Sequence, residues 1–453
     1  VRNDVEVDLP NGTSITTRWI QFKVPVSSKF YNNIKYNQYF EPVGGLDNLR
    51  SIRFMRMYLE GFTSPVNFRF GTLDLVRSEW KRFTKSLNNE NINHTNTSTE
   101  IGSVNILENE NRTPINYVLP PGVEREQISS NSSIIRQNEQ SLSLKVSDLQ
   151  PKDSKGVYKI IDFDMRQYKS LKMFIHAESI EGSETLPGEG VNDEMNKRLV
   201  GFLRIGSDLT DNYYQIEIPL KPTSYNNGSS NRFSADQVWN PDENSIDFSL
   251  ETLTQIKAKA MSLSGLSDAI YFDEELNVIN EFSNISDLPG DKKFKYAIKG
   301  NPTIGSIKNI MIGVKNPSQT SGDILSGEVW FNELRLSEID GKGGWSALAS
   351  LDANFADFAN ISLSGKMSTI GFGSIDKSPN QRSREEIKQY GLLSSINVGQ
   401  LLPKKWEIQI PVSYSISEEF STPEYDPFFQ DIKLEDRLNS ADTQQDKESI
   451  KNQ

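Results

Sequence analysis

Cysteine is absent from the 453 residues. No disulfide, thiolate zinc site or cysteine nucleophile is therefore available within them. That is permissive of an envelope protein without being diagnostic of one. Histidine is scarce, with only His94 and His176, which supplies a His-rich metal site or a conventional triad poorly. No window holds about 18 consecutive apolar residues, so no transmembrane helix is encoded, although a β-barrel would need none. Lys and Arg are scattered and the net charge is −12, which leaves no footprint for nucleic acid. Gly371-Phe-Gly373 is too short for a phosphate loop and fits a strand end. No cofactor is expected, and no metal. The chain opens on Val and closes in a polar tail, and it reads as a segment of a longer polypeptide.

What is present is β-pattern, enough for two or three domains. Residues 14–83 hold three strand-like runs: Ile15–Val26, Leu49–Glu60 and Val66–Trp80. Their β-branched and aromatic enrichment, with Gly44-Gly45 and Ser64-Pro65 at the breaks, favours strand over helix. Residues 84–139 are dominated by Asn, Ser, Thr and Glu, which predicts a flexible polar linker. Within it, Tyr117-Val-Leu-Pro-Pro-Gly122 could be extended and docked.

Residues 140–340 predict a larger β domain. Its strands are Gly156–Phe163, Ser170–Ala177, Leu199–Ile205, Tyr213–Leu220, Ser245–Ser249, Ala269–Phe272, Phe294–Ile298, Ser306–Val314 and Gly327–Leu336. Thr252–Met261 is the expected helix, with Leu253, Ile256 and Ala260 on one face. Many short strands with polar turns indicate a sandwich or jelly roll. Trp19–Val26 matches Tyr213–Leu220, Leu49–Arg53 matches Ile304–Lys308, and Leu75–Glu79 matches Leu334–Glu338. This repeat predicts two jelly rolls in series, residues 1–83 being the C-terminal part of the first.

Residues 343–417 organise the rest. They alternate apolar and polar with period two over four runs, each of about the 9–11 residues that a tilted membrane strand needs. The polar positions are Ser350, Asp352, Asn354, Ser362, Ser364, Lys366, Ser395, Asn397, Gln409 and Ser413, the candidate pore lining. The apolar positions are Leu351, Phe355, Ile361, Leu363, Ile396, Val398, Trp406, Ile408, Ile410, Val412 and Tyr414, the candidate lipid face. A soluble antiparallel sheet with one wet face alternates in the same way. Three features favour the membrane. The wet-face residues are mostly small and neutral. Trp345, Phe355, Phe372, Tyr390, Trp406 and Tyr414 stand near strand ends like an interfacial girdle. The connections at Asp357–Ala359 and Leu401–Lys405 read as tight, whereas Ser374–Lys388 and the polar tail 418–453 read as long outer loops. With short turns on the periplasmic side, the jelly rolls fall outside the cell.

Catalytic candidates are thin. Asp162, Asp164, His176, Glu178 and Asp208 could suggest paired carboxylates, but the aspartates suit turns and His176 suits a strand core. Trp330 and Phe331, in a run like the closing strand of carbohydrate-binding jelly rolls, cannot both face one groove, because neighbours point to opposite faces. No enzyme activity is expected.

Several runs together resemble one family: Ser170–Glu178, Leu203–Asp208, Asn212–Leu220, Val329–Leu336, Gly343–Ala349, Ala356–Ala359, Ser368–Ser374 and Pro423–Pro427. They are similar to the SprA/Sov family, giant outer-membrane translocons of the type IX secretion system that support gliding motility in some bacteria. The resemblance implies an all-β chain, with jelly-roll or sandwich domains followed by antiparallel strands of a very large transmembrane β-barrel. It implies a protein-conducting channel for folded cargo proteins. The implied partners are a PorV-like outer-membrane barrel, a periplasmic plug protein, a prolyl isomerase and the lipid bilayer. The alternative is a surface glycan-binding jelly-roll protein anchored in the outer membrane.

Overall fold

The computed structural model describes residues 2–8, 10–20, 22, 56–71, 79–90, 92, 94–125, 127–130, 133–179, 198–223, 232–261, 263, 267–285, 293–377, 381–439 and 443–451. The described chain is all-β with a few short helices. Its strands in order are β1 (Arg2–Asp8), β2 (Ser14–Ile20), β3 (Lys81–Arg82), β4 (Ser98–Asn105), β5 (Gln127–Ser130), β6 (Ser133–Arg136) and β7 (Gln140–Leu149). There follow β8 (Ser154–Phe163), β9 (Tyr168–Ser179), β10 (Val200–Gly206), β11 (Tyr213–Pro219), β12 (Ser245–Ser249), β13 (Ile270–Phe272) and β14 (Val278–Ile279). The last seven are β15 (Lys295–Lys299), β16 (Ile307–Lys315), β17 (Leu325–Ile339), β18 (Ser346–Phe355), β19 (Ala359–Ser368), β20 (Glu385–Asn397) and β21 (Pro411–Pro423).

Two sheets form a sandwich. One has eight strands in the order β14-β13-β15-β11-β10-β16-β8-β3, the other five in the order β12-β9-β17-β7-β4. One apolar core lies between them, drawing Leu203, Ile205, Tyr214, Ile216 and Ile312 from the first sheet and Leu144, Leu171, Ile175 and Val329 from the second. The helix Glu251–Met261 adds Leu253, Ile256 and Ala260 to that core. All nine expected strands of 140–340 are present within one to three residues, and so is the helix.

The sandwich starts earlier than its composition suggests. Residues 84–139, expected as a flexible linker, supply β4, which pairs with β7 along its whole length. Ile115 and Tyr117 are fully buried with Val104, Val238, Trp239 and Trp330 on the outer side of the five-stranded sheet. Polar bonding replaces the missing apolar surface. Asn89 exchanges side-chain hydrogen bonds with the backbone of Ala269, and Asn88 Nδ2 donates to the Lys152 carbonyl at 2.9 Å. A segment poor in large apolar residues is held here by amides that find complete sets of partners.

The first domain is described only in part. β2 covers the run from Ile15 as far as Ile20 and pairs with β1. Residues 56–71 carry no strand, in contrast to the runs expected there, and Gly71 lies against the Trp19 ring of β2. Residues 21, 23–55 and 72–78 lie outside the described residues, and with them most of the first copy of the repeat.

The central strands β10 and β11 are buried on both faces. Their outward side chains include Arg204, Gln215 and Glu217, which lie under residues near Leu87 and Glu281. Arg204 donates to the carbonyls of Leu209 and Leu87 at 2.7 and 2.8 Å and to Gln215 at 2.7 Å. Glu217 pairs with Lys315 at 2.9 Å and Lys295 at 2.8 Å. Burial alone would raise the Glu217 carboxyl, but Lys295 and Lys315 outweigh it and hold it at about 2, below the ordinary 4.5.

The folded value lies below the unfolded one, so the unfolded chain binds more protons and acid favours unfolding. This share of the stability is complete above pH 4.5 and is lost as the pH falls toward 2. Melting followed by tryptophan fluorescence should show that slope. Glu217→Gln should melt lower at neutral pH and flatten the acid slope. An unchanged slope in the variant would remove Glu217 as its source.

Candidate membrane-spanning sheet and its attachment

Strands β18, β19, β20 and β21 form a separate antiparallel meander in that order. Ten residues of β18 extend about 33 Å, and a tilt of roughly 45° brings that close to the ~25 Å apolar band of an outer-membrane barrel. Directly opposed residues share a face, so the register sorts the side chains. One face carries the rows Leu351-Leu363-Leu392-Ile416, Ala353-Ile361-Ser394-Tyr414 and Phe355-Ala359-Ile396-Val412. The other carries Ser350-Ser364-Gly391-Ser417, Asp352-Ser362-Leu393-Ser415 and Asn354-Asn360-Ser395-Ser413. Lys366 and Asn397 fall on this second, polar face. Leu348, Ile387 and Leu393 are its large apolar exceptions.

Neither face is covered among the described residues. Leu351 is 60% exposed, Tyr414 56% and Leu348 76%. Both outer edges, β18 and β21, lack a further strand among the described residues. No described helix is long and apolar enough to cross a membrane.

The fourth strand sits differently from its expected place. Its alternation begins at Trp406, but β21 starts at Pro411 and runs past Ser417 to Pro423. Residues 398–410 form a compact connection instead of a five-residue turn. It contains two 3-10 turns, Val398–Leu401 and Lys404–Trp406, and Glu407 at φ 48°. Val398 N donates to the Ile410 carbonyl at 2.9 Å and closes it. Prolines at 403 and 411 are the cause, since neither can donate a ladder hydrogen bond. Val398, Trp406, Ile408, Gln409 and Ile410 therefore belong to this connection and not to the strand faces. The turn at 356–358 is as short as expected, and both connections lie at one end of the sheet.

The opposite end carries the sandwich, joined twice. The first joint is the chain from Ile339 to Trp345, where Asp340 N donates to the Gln167 carbonyl at 2.6 Å. Gly344 is wedged there, for a Cβ would lie 2.3 Å from Phe372 N, while Gly341 and Gly343 stand in open space. The second joint is a strap after β21, residues 424–437. It was expected as a free polar tail. Its Asp431 side chain is fully buried in the sandwich. Oδ2 accepts from Tyr214 Oη at 2.8 Å and Lys257 Nζ at 3.0 Å; Oδ1 accepts from Thr303 Oγ1 at 2.6 Å and Ile304 N at 2.7 Å. Nothing in its sequence marks this role beyond an acidic residue two positions after the Phe428-Phe429 pair.

The other sequence candidates are structural. Asp162 pairs with Lys308 at the surface and Asp164 with Arg166. Asp208 caps its turn. Burial pushes its carboxyl up, but Asn212 and the amides of Asp211, Asn212 and Thr210 bring it to about 2. His176 is buried, with Nδ1 2.6 Å from the Val238 carbonyl and its ring 4.1 Å from that of Trp330. Burial would raise Glu178, yet Arg112 beside it holds it down. Trp330 and Phe331 point to opposite sides of the sheet and both are buried, one with Tyr117 and Trp239, the other in the main core. No cluster of His, Asp and Glu suited to a metal occurs among the described residues.

No curated protein matches the chain. A family model described as motility related/secretion protein, SprA_N, matches residues 2–438, and the chain belongs to that family.

Proposed function

We propose that β18–β21 are four strands of an outer-membrane β-barrel wall, and that the protein conducts folded cargo across that membrane as a type IX secretion translocon. The observation that carries this reading is the open meander: an apolar face three rows deep, backed by a small-polar face, with no described residue over either. In water such a face demands a cover. In lipid it has one, and its two unpaired edges demand further strands, because open edges do not occur in hydrocarbon. The polar face then lines a lumen of serine and asparagine that offers little apolar surface to a passing chain. Conduction and gating need no bond chemistry, so energy would come from elsewhere. The PorV-like barrel, plug and prolyl isomerase remain the partners that the family resemblance suggests. The glycan-binding alternative loses its basis, since Trp330 and Phe331 are both core residues.

The facing has a direct test. Leu363→Arg, in the Leu351-Leu363-Leu392-Ile416 row, should destabilise the inserted protein by about 2–4 kcal/mol. Ser364→Arg, on the polar face, should cost far less. Equal losses of assembled protein in outer-membrane fractions would sink the assignment.

Accessibility gives a second measurement. Cysteines replacing Ser395 or Ser413 should react with a membrane-impermeant thiol reagent, and cysteines replacing Ile361 or Leu392 should be protected by lipid. The reverse pattern would exchange the two faces.

Sidedness follows from the ends of the sheet. The compact connections 356–358 and 398–410 lie opposite the sandwich, and short connections belong on the periplasmic side of bacterial barrels. An epitope inserted between Thr320 and Ser321, in an exposed loop of the sandwich, should bind antibody on intact cells. Binding only after the outer membrane is broken would overturn this orientation.

A further inference from the structure

We infer that Asp431 is a latch. It locks the sandwich onto the end of the four-stranded sheet, and its withdrawal frees the sandwich to swing about Gly341–Gly343. The inference goes beyond the membrane reading and does not require the sheet to lie in lipid.

The two joints differ in kind. The covalent joint passes through Gly341 and Gly343, where an added Cβ would meet nothing within 4 Å, with Gly371 against the Lys342 carbonyl on the other side of the chain. By itself it would permit a wide range of angles. What holds the angle is the strap. The strap folds on its own. Asp426 accepts from the amides of Phe428 and Phe429 at 2.8 and 2.9 Å and pairs with Arg437. Asp426 N donates to the Ile432 carbonyl, and Leu434 N to that of Glu424. None of these bonds uses the Asp431 carboxylate. All four of its hydrogen bonds go to the sandwich, from β11, the helix Glu251–Met261 and the loop before β16.

At the rim Tyr425 Oη donates to the Arg166 carbonyl at 3.3 Å and Arg384 lies 3.5 Å from Asp164. Asp431 is thus the most deeply buried of the few side chains that bridge the two bodies. Such a contact is two-state. While water is excluded, Lys257 and Asp431 attract strongly, and losing either partner strands a buried charge. Once the tip lifts, both groups rehydrate and little draws them back until the pocket closes again. Around the pocket, Arg166 guides the strap from the rim: its guanidinium lies 4.6 Å over the Tyr425 ring and donates to the Gln430 carbonyl at 3.3 Å. Apart from the Arg384–Asp164 pair at the rim, at 3.5 Å, the other described ion pairs of the sandwich stay within one body. The Lys257–Asp431 pair, at 3.0 Å, joins the sandwich to the chain that leaves the wall.

The test uses the intact membrane protein. Hydrogen exchange should show the Ile304 amide, bonded to Asp431 Oδ1, exchanging at least about tenfold faster than the Leu203 amide in the core. The latch would then open without unfolding the sandwich. Equal protection of the two amides would overturn the latch. Spin labels at Thr320→Cys and Leu348→Cys supply the geometry. The unsubstituted latch should give one narrow distance. Asp431→Asn combined with Lys257→Met, which leaves no orphaned charge, should give a broad or bimodal one. A distribution as narrow as the parent's in that variant would also overturn the proposal.

Discussion

An extended sheet of leucine, isoleucine and phenylalanine has to be covered, and the two halves of this molecule answer that constraint differently. In the sandwich, the inner faces of the two sheets cover each other, with Leu203, Ile216 and Ile312 against Leu144, Ile175 and Val329. In the meander β18–β21 no described residue covers the leucine row. The same period-two alternation thus serves a closed core in one place and a sheet left open by the described residues in the other. The family is one of motility related/secretion proteins, and among the described residues the leucine row stays open.

The sandwich also buries charge, and it does so outside its apolar core. Arg204, Glu217, Lys295 and Lys315 form a layer over the central strands, roofed by segments near Leu87 and Glu281. Arg112, Glu178 and Glu328 form a second layer on the opposite sheet. Each charge finds a partner, which is the condition for tolerating it there. These layers explain how a polar stretch such as residues 84–125 is drawn into the fold without carrying many large apolar side chains. Asp431 applies the same chemistry between the sandwich and the strap.

Nine strands of 140–340 were legible because each is a local signal, a short β-branched or aromatic run between turn residues; β7, with its serines and charges, and the two-residue β14 were not. Which residues of β18 and β19 share a face was legible for the same reason, since parity along a strand is a property of sequence alone. The linker was misjudged because composition reports apolar content and not partners. Tyr117, Asn88 and Asn89 are ordered by residues more than sixty positions or even two hundred positions away, such as Lys152 and Asn332. The start of β21 was misjudged because Trp406, Ile408 and Ile410 keep the alternation that Pro403 and Pro411 forbid the backbone to use.

By itself the sequence determined which residues can share a face, that the chain is all-β, and that no thiol chemistry is available. Those follow from the two-residue period of a strand and from composition. Only the tertiary structure decided which faces are covered, where the sandwich begins, and that the segment after β21 returns to it. Coverage and return depend on groups distant in sequence finding each other. The carboxylate of Asp431 gains its meaning only beside Tyr214, Lys257 and Thr303.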